Sequence, residues 1–463
     1  MTYEEALSFI QSFPDMERAT FGARGPTMGL PAMRELLARL GDPQLGTKTI
    51  HIAGSKGKGS TSTFVASILH AAGLHTALYT SPHLHDYTER FAFDMKAVEP
   101  DTFARGLSDI KELIDDEKAA GNNSISTFGV LTALFFHLVK TAAKPIDWQI
   151  VEVGLGGRYD VTNVFDSKEA AVITPVSLEH VEILGKTQTE IAANKAGIIV
   201  PHCLTVMAPQ KDQGAKTAIS RACHEMDSEL IDVSKKYKIK QLNQDLTGQT
   251  FSIEGLGVNM ECRINLLGAH QIANAATAIA TINALRNKGL IEISDDQIKA
   301  GLAKCSMPGR LEILRSPAQG KGGPTVVADG AHNHESAAAL AHSLQQFFNT
   351  KQVIFVIGVN NDKNISAIWR ELSPLNKAVI ATRSDNARSM EPSQIIDLMS
   401  VFEIERPAHF TTQNVPDAIN KAMSMAGSED LICVTGSLYV VAEARTYVMQ
   451  EEAKPSAQSY NRD

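Results

Sequence analysis

The feature that most constrains this sequence is a glycine-rich loop within residues 48–72, between a predicted strand and a predicted helix. Before the loop, Ile50 and Ile52 alternate as residues of a short buried strand do. After the loop, apolar residues recur at helical spacing, at Phe64, Val65, Ile68 and Leu69. Unpaired backbone N–H groups and the helix dipole would both face a ligand in the loop, so the segment predicts an anion-binding site.

The loop reads Gly54-Ser-Lys-Gly57-Lys58-Gly59-Ser60, which differs from the common phosphate loop G-x-x-x-x-G-K-[ST]. It is two residues shorter and has a glycine between the lysine and the serine. Lys58 would place a positive charge on phosphates, and the Ser60 hydroxyl could reach a Mg²⁺ ion. A plain strand-to-helix turn is the alternative interpretation, and the strand and helix on either side favour phosphate binding.

Length, charge and cysteine content bound the class of protein. At 463 residues the chain exceeds what one hydrophobic core usually serves, so we expect two domains. The net charge of −8 argues against a nucleic-acid surface built on bulk basicity, and five scattered cysteines without a C-x-x-C pair argue against a disulfide framework or zinc site. The acidic N-terminus lacks a signal-peptide pattern, and the longest apolar run, Val130 to Val139, is too short to span a bilayer. We expect a soluble, cytoplasmic monomer without nucleic-acid or membrane partners.

Short apolar strands alternate with helical stretches, which predicts an α/β fold built on a parallel sheet. Besides the strand before the glycine loop, strands are expected at 75–79, 148–153, 170–174, 203–208, 325–328, 353–357, 378–382 and 431–434. Several strands run directly into glycine, serine or charged residues, and ligands gather at that edge of a parallel sheet. Short β-like segments within 229–268 predict a small antiparallel sheet. A break near Met307-Pro308-Gly309 precedes a second strand–helix series, so we expect domains at 1–306 and 307–463, the second smaller.

Local patterns also predict individual helices and loops. The helices are expected at 3–12, 31–40, 100–116, 126–141, 187–197 and 268–285, with Ser126 or Thr127 as the N-cap of the fourth. Proline and glycine residues predict loops at 14–30 and 316–324, and the polar tail after Glu451 is expected to be frayed.

Four polar residues lie just beyond predicted strands or at the glycine loop: Ser60, Ser81, Glu152 and His180. Each alone has a structural explanation, since Ser81 could shape the turn before Pro82 and His180 could cap a helix or lie in a core. Together at the ligand edge of one sheet, they would be hard-oxygen and imidazole ligands for Mg²⁺ beside a nucleotide.

Over almost its whole length the sequence resembles the folylpolyglutamate synthase and dihydrofolate synthase branch of the Mur ligases. The resemblance rests on motifs in one order: His51-Ile-Ala-Gly-Ser-Lys-Gly-Lys-Gly-Ser60, Thr80-Ser-Pro-His-Leu84 with Glu89-Arg90, Glu152-Val-Gly-Leu-Gly-Gly-Arg-Tyr-Asp160, Ser177-Leu-Glu-His180, Asn194-Lys-Ala-Gly-Ile198, Gly268-x-His-Gln-x-x-Asn274, Pro308-Gly-Arg-Leu-Glu312, Asp329-Gly-Ala-His-Asn333 and Gly436-Ser-Leu-Tyr439. It implies a P-loop-containing, Mur-ligase-like central domain with a small antiparallel sheet, and a smaller Rossmann-like C-terminal α/β domain.

The resemblance also implies residue roles. ATP would be held by Gly57, Lys58, Gly59, Ser60, Asn274, Arg310, Asp329 and His332. Two Mg²⁺ ions would be bound by Ser60, Ser81, Glu152, His180 and Lys195, with Lys195 carbamylated. Catalytic roles fall to Lys58, His180, Lys195, Arg310 and His332, and the pterin-bearing substrate would lie near Thr127, Phe128, Arg158, Tyr159 and Asp160. Without the resemblance, Lys195 would be interpreted as a solvated helix lysine.

The implied activity is an ATP-dependent ligase that joins L-glutamate to dihydropteroate, to a reduced folate such as tetrahydrofolate, or to both, through an acyl phosphate. A member that uses only one of these acceptors and another Mur-type amino-acid ligase are alternatives, although Ser81-Pro82-His83-Leu84 favours the folate branch. A P-loop ATPase or GTPase switch would leave the second domain and the Asp329 and His332 motif unexplained. A dinucleotide-binding oxidoreductase lacks its G-x-G-x-x-G signature here.

Two positions depart from the family pattern. Lys56 stands where the family often has asparagine, and an extra cation there should not harm phosphate binding. Thr127-Phe128-Gly129 stands where the family often has Phe-Phe-Glu. The missing carboxylate leaves the acceptor preference open, and the sequence does not identify the residues that bind the incoming glutamate.

Overall fold

The structure of the chain is a computed structural model that describes residues 1–14, 29–119, 125–317, 323–350, 352–400 and 408–453. It divides into two compact units. The first comprises Met1–Asn243, Gly248–Asn265 and His270–Cys305, and the second comprises Gln244–Thr247, Leu266–Ala269 and the residues from Ser306 onward. The loops predicted at 14–30 and 316–324 and the tail predicted after Glu451 lie mostly outside the described residues.

A mainly parallel sheet forms the centre of the first unit. Its eight strands are β1 (Lys48–Ala53), β2 (Thr76–Tyr79), β3 (Phe91–Phe93), β4 (Lys96–Ala97), β5 (Trp148–Glu152), β6 (Ala170–Ile173), β7 (Leu204–Met207) and β8 (Glu229–Asp232). They lie in the order β4-β3-β2-β5-β1-β6-β7-β8, and all neighbours are parallel except the two antiparallel pairs that involve β3. The central strands are buried almost throughout, as expected where helices cover both faces of a parallel sheet.

Helices surround this sheet, and several of them begin at a side-chain cap. The helices of the first unit are α1 (Tyr3–Gln11), α2 (Leu30–Arg39), α3 (Lys58–Ala71), α4 (Pro100–Ala119), α5 (Thr127–Lys140), α6 (Val181–Leu184), α7 (Gln188–Lys195), α8 (Gln213–Glu225), α9 (Val233–Lys236), α10 (Ala269–Asn287) and α11 (Asp295–Lys304). Ser126 accepts a hydrogen bond from Gly129 N and so caps α5, as predicted. Thr187 and Glu190 form a capping box that starts the helix bearing Lys195.

An aromatic cluster packs α4 and α5 against β2 and β3. Tyr79 stacks on Phe135 with ring centroids 5.0 Å apart, and Phe91 meets Phe103 edge-on at 5.4 Å. All four rings are fully buried. Burial of rings this large contributes much of the stability of a core, so the cluster fixes β2, whose carboxyl end leads to Ser81.

A small sheet lies mainly in the first unit, and only the last two residues of its first strand belong to the second. Its strands are β9 (Lys238–Asp245), β10 (Gly248–Gly255) and β11 (Val258–Ile264), in the order β11-β10-β9. β10 and β11 are antiparallel, with a register that runs from Gln249 opposite Ile264 to Gly255 opposite Val258. This is the small antiparallel sheet that the segment 229–268 predicted.

The second unit has its own α/β sheet. The strands are β12 (Glu312–Arg315), β13 (Thr325–Ala328), β14 (Val353–Ile357), β15 (Asn376–Ala381), β16 (Ala408–Thr411) and β17 (Leu431–Thr435). The helices are α12 (His334–Phe348), α13 (Ile365–Leu372), α14 (Pro392–Ser400), α15 (Val415–Met425) and α16 (Leu438–Ala453). The strand order is β12-β13-β17-β14-β15-β16, with β12 antiparallel to β13 and the rest parallel.

The predicted α/β class and both kinds of sheet are therefore confirmed, and the observed bounds differ from the predicted ones by a few residues. Four strands, β3, β4, β12 and β16, were not predicted. Across the described residues, none of the helices is both long enough and apolar enough to cross a membrane.

Candidate active site

The glycine loop joins β1 to α3 in a conformation that only glycine accommodates. Gly57 has φ of +80° and precedes Lys58, the first residue of α3, so the helix begins two residues earlier than Ser60. A Cβ atom on Gly57 would collide with Oδ1 of Asn274, and one on Gly54 would collide with the side chain of Thr174. The loop thus lies against Asn274 of α10, and Lys58 and Ser60 lie at a helix N-terminus, where an anion is stabilised.

Glu152 and Ser81 meet at the carboxyl edge of the sheet. β1 leads into the glycine loop, and β5 is its parallel neighbour. Ile52 of β1 pairs with Glu152, the last residue of β5, so the Glu152 carboxylate lies at the same edge of the sheet as the loop. Ser81 follows β2 on the other side of β5, and its N–H donates to Oε2 of Glu152 at 3.0 Å. Glu152 is 4% exposed and Ser60 is 5% exposed. Two of the predicted metal ligands are therefore in direct contact.

Lys195 lies beneath the glycine loop. Its Nζ donates to Gly54 O and to Oε1 of Glu179, both at 2.9 Å, and its side chain is 1% exposed. Burial lowers the pKa of Lys195 to about 8, although Glu179 opposes the shift. Lys195 is therefore buried at the site and is not the solvated helix lysine of the alternative interpretation.

Glu179 is a site residue to which the sequence analysis gave no role. Its Oε2 lies 3.7 Å from Nζ of Lys56. Burial alone would raise the pKa of this carboxyl, but the charges of Lys195, Lys58 and Lys56 lower it to about 2. In the sequence, Glu179 could have been recognised only as an acidic residue next to His180, in a motif that follows a predicted strand.

His180 has an exposed side chain and occupies the N-cap position of the short helix α6, with φ of +46°. In the described part of the chain, no three His, Cys, Asp or Glu side chains are grouped closely enough to hold a metal ion. A metal at this edge would therefore need serine hydroxyl or carbamate oxygens in addition to Glu152.

The residues predicted to contact a pterin have different environments. Thr127 is buried, and its hydroxyl lies 3.1 Å from Phe13 O, towards the end of α1. Phe128 stacks on Tyr79 at 5.6 Å and packs against Gly154. Phe128 therefore lies next to the loop at 154–160, whereas Thr127 points to another helix.

Within the loop at 154–160, Arg158 and Tyr159 are exposed and Asp160 is buried. Asp160 accepts hydrogen bonds from Leu155 N and Thr162 N, and burial raises its pKa. The exposed pair can reach a ligand, while the Asp160 carboxylate holds the loop together from inside.

The predicted residues of the second unit are also brought together. Asp329 follows β13 and accepts from Leu311 N at 2.8 Å and from Ala331 N at 2.9 Å, and burial raises its pKa although Arg310 opposes the shift. Arg310 Nη1 lies next to Gly330, and Nδ1 of His332 is 2.8 Å from Gly330 O, so this nitrogen carries the hydrogen. A cation, a carboxylate and an imidazole therefore surround one turn.

Comparisons with known proteins match two family models to separate parts of the chain. Residues 52–282 match the Mur ligase middle domain, and residues 309–438 match the Mur ligase glutamate ligase domain. The dihydrofolate synthase/folylpolyglutamate synthase of Mycobacterium tuberculosis is 32% identical over 448 residues, covering 90% of this chain and 89% of that protein. The protein of the same name from Bacillus subtilis is 30% identical, with 96% and 98% covered.

Solved structures of folylpolyglutamate synthases have a fold similar to that of this chain. Mycobacterium tuberculosis folylpolyglutamate synthase complexed with ADP has a TM-score of 0.85 at 29% identity, covering 96% of this chain and 98% of that one. E. coli FolC in complex with DHPP and ADP has a TM-score of 0.83 at 26% identity, covering 98% and 99%.

Proposed function

The chain belongs to the folylpolyglutamate synthase and dihydrofolate synthase family of the Mur ligases, and from this premise we propose how its residues join L-glutamate to a folate. The enzyme is an ATP-dependent ligase that forms an amide bond between L-glutamate and dihydropteroate or a reduced folate. The observation that carries the site assignment is the contact of the glycine loop with Lys195 and Asn274, next to the Glu152 and Ser81 pair.

ATP binds through the glycine loop in this proposal. Backbone N–H groups of Gly57, Lys58 and Gly59 face the phosphates at the N-terminus of α3, and the Lys58 ammonium adds a point charge. Asn274, in contact with Gly57, contributes the polar group next to the loop. Arg310, Asp329 and His332, which lie together around one turn of the second unit, keep the nucleotide-binding role that the family resemblance implies.

The oxygen donors at the sheet edge fit Mg²⁺. The Glu152 carboxylate and the hydroxyls of Ser60 and Ser81 are hard ligands of the kind Mg²⁺ prefers, and His180 and Lys195 complete the proposed set for two ions. Bound Mg²⁺ supplies charge neutralisation on the phosphate oxygens during phosphoryl transfer.

Carbamylation of Lys195 is part of the proposal. The uncharged amine is the form that attacks CO₂, and burial favours this form by lowering the lysine pKa to about 8. The new N–C bond forms as the amine loses a proton, which leaves a negatively charged carbamate. Carbamylation would remove the positive charge of Lys195, and Lys56 would then be the cation paired with the Glu179 carboxylate.

The reaction follows from these positions. A carboxylate oxygen of the acceptor attacks the γ-phosphorus of ATP and ADP leaves, which gives an acyl phosphate. The amino group of glutamate then attacks the acyl carbon, phosphate leaves and the amine loses a proton. Lys58, His180, Arg310 and His332 stabilise the charge on the phosphoryl oxygens in this scheme.

The acceptor is assigned to the surface formed by Phe128, Arg158 and Tyr159. Thr127 and Asp160 support that surface through the backbone groups that they bind. A cytoplasmic enzyme without nucleic-acid partners is proposed from the net charge of −8 and the five buried free cysteines, and the monomeric state stays a prediction. The domain boundary at 306/307 stays a prediction.

One assay tests the proposal. The protein is incubated with ATP, Mg²⁺ and labelled L-glutamate, and dihydropteroate and tetrahydrofolate are offered separately. Label should enter at least one acceptor, and ADP should form only when an acceptor is present. Steady ATP turnover without an acceptor, and no labelled product, would instead favour an ATPase switch. Lys58→Ala and Glu152→Ala should each abolish ADP formation.

A further inference from the structure

Four polar side chains form a buried hydrogen-bonded row in the first unit, which we call the His51 network: Lys168, His51, Thr162 and Asp160. Each is at most 8% exposed. Nζ of Lys168 lies 2.9 Å from Nδ1 of His51, and Nε2 of His51 lies 2.9 Å from the Thr162 hydroxyl. That hydroxyl donates to Oδ1 of Asp160. The network therefore connects β1, which carries His51, to the loop at 154–160.

The chemistry of the two ends fixes the direction of every hydrogen bond. The Thr162 hydroxyl gives its hydrogen to Asp160, so Nε2 of His51 carries a hydrogen and donates it to Thr162, which leaves Nδ1 to accept from Lys168. Thr162 then accepts from His51 and donates to the carboxylate of Asp160, which can only accept when ionised. A single histidine tautomer satisfies all four groups.

Lys168 is an expensive residue to bury. Within the described ranges its Nζ contacts His51 and lies 5.3 Å from the centre of the Phe165 ring, and it forms no ion pair with a carboxylate. Burying an ammonium without a carboxylate partner costs more than burying an apolar side chain of the same length. A role in stability alone would therefore be served better by an apolar residue.

The far end of the network lies in the loop that carries the acceptor surface. Oδ2 of Asp160 accepts from Leu155 N at 2.8 Å, and Asp160 N donates to Gly157 O at 3.1 Å. On its other side the loop contacts α7, where Arg158 N donates to Asn194 O at 2.9 Å. The conformation of Arg158 and Tyr159 thus depends on how firmly Asp160 is held.

We propose that Lys168 and His51 are positioning residues for the acceptor, acting through Thr162 and Asp160 on the loop at 154–160. The proposal rests on the proposed function, in which this loop contacts the folate acceptor. It assigns these residues no contact with ATP.

The test interrupts the network at two places in the full-length enzyme. Thr162→Val removes the hydroxyl at nearly constant volume, and Thr162→Ser keeps it. Lys168→Met removes the donor at the opposite end and replaces the buried amine with an apolar group. Thr205→Val is the matched control, because Thr205 is also a buried threonine of this unit, hydrogen-bonded to Ser228, and belongs to β7.

The acceptor KM should rise about tenfold in Thr162→Val and in Lys168→Met, since each loses a buried hydrogen bond that holds the loop, while the KM for ATP stays within about twofold. Thr162→Ser and Thr205→Val should keep the acceptor KM of the wild type. An acceptor KM that is unchanged in Lys168→Met, or that rises together with the KM for ATP, would overturn the proposal.

Hydrogen exchange of the peptide that covers residues 154–160 gives a second readout that needs no activity. Exchange there should be faster in Thr162→Val and Lys168→Met than in Thr162→Ser, with unchanged exchange in α10. Equal protection of the loop in all variants would overturn the proposal. If the wild type ligates no glutamate, the proposed function fails on its own, and loop exchange still decides whether the network holds the loop.

Discussion

Nζ of Lys195 lies 2.9 Å from Oε1 of Glu179, and the lysine side chain is 1% exposed. Glu179 also faces the charges of Lys56 and Lys58. Removing this carboxylate would leave a buried ammonium next to two other cations.

Glu179→Gln should therefore lower the free energy of unfolding by about 3 kcal/mol in bicarbonate-free buffer, because it breaks a buried ion pair from one side. Chemical denaturation measures the change. Glu225→Gln is the control, since its pair with Arg221 has side chains 53% and 78% exposed and should matter by less than about 1 kcal/mol. Equal effects of the two substitutions would show that the Lys195 pair contributes no more than a surface pair.

The glycine loop gives a second prediction. Gly57→Ala should weaken ADP binding more than about tenfold, because the new Cβ collides with Asn274 in addition to the ~1–2 kcal/mol cost of positive φ. Isothermal titration calorimetry measures the affinity. Gly41→Ala is the matched control, since Gly41 has φ of +77° and nothing within 4 Å of the added atom. ADP affinity of the wild type in Gly57→Ala would contradict the proposed phosphate site.

Much of the fold was predictable because its strands are buried runs with clear ends. Strands were predicted at 148–153 and 353–357, and the strands found there, β5 and β14, are fully buried. β12 and β16 were not predicted, because they are short edge strands with partly exposed residues and lack such a run. A strand that is buried on both faces has a continuous run of apolar residues, whereas an edge strand is partly exposed and has a shorter or interrupted run.

The site was predictable where adjacent parallel strands end at one edge, as β2 and β5 do before Ser81 and at Glu152. It was not predictable where a side chain's direction depends on tertiary packing. α5 is buried on nearly all sides, so its sequence could not show that Thr127 points towards α1. The pairing of Glu179 with Lys195 likewise depends on how α7 packs, which no local pattern encodes.

Lys168 makes stability depend on pH. Burial lowers the pKa of Lys168 from 10.5 to about 7. Between these two values the unfolded chain binds a proton on this lysine that the native protein lacks, so unfolding takes up a proton and stability rises with pH. Below the folded-state pKa both states are protonated, and the full cost of burying the charge remains.

We therefore compare the free energy of unfolding of the wild type with that of Lys168→Met. The wild-type value minus the variant value should increase from pH 7 to pH 9, by at most ~1.4 kcal/mol per pH unit. Urea unfolding at several pH values measures this difference, and the variant itself serves as the reference for all other titrating groups. A difference that stays flat over this range, or that falls, would show that Lys168 keeps its proton in the native protein.

Glu152 provides the test of the metal site. Its carboxylate accepts a hydrogen bond from Ser81 N, and an amide oxygen in Glu152→Gln can accept the same bond, so the substitution removes charge but keeps the local structure. The Mg²⁺ concentration for half-maximal ADP formation should rise at least about tenfold, because an amide oxygen is a weaker ligand than a carboxylate. ADP affinity without Mg²⁺ should not change.

Glu169→Gln is the matched control. Glu169 also accepts a hydrogen bond from a backbone N–H, that of Thr49 near the start of β1, and it therefore lies away from the carboxyl edge of the sheet. Equal Mg²⁺ requirements in Glu152→Gln and Glu169→Gln would remove Glu152 from the proposed ligand set.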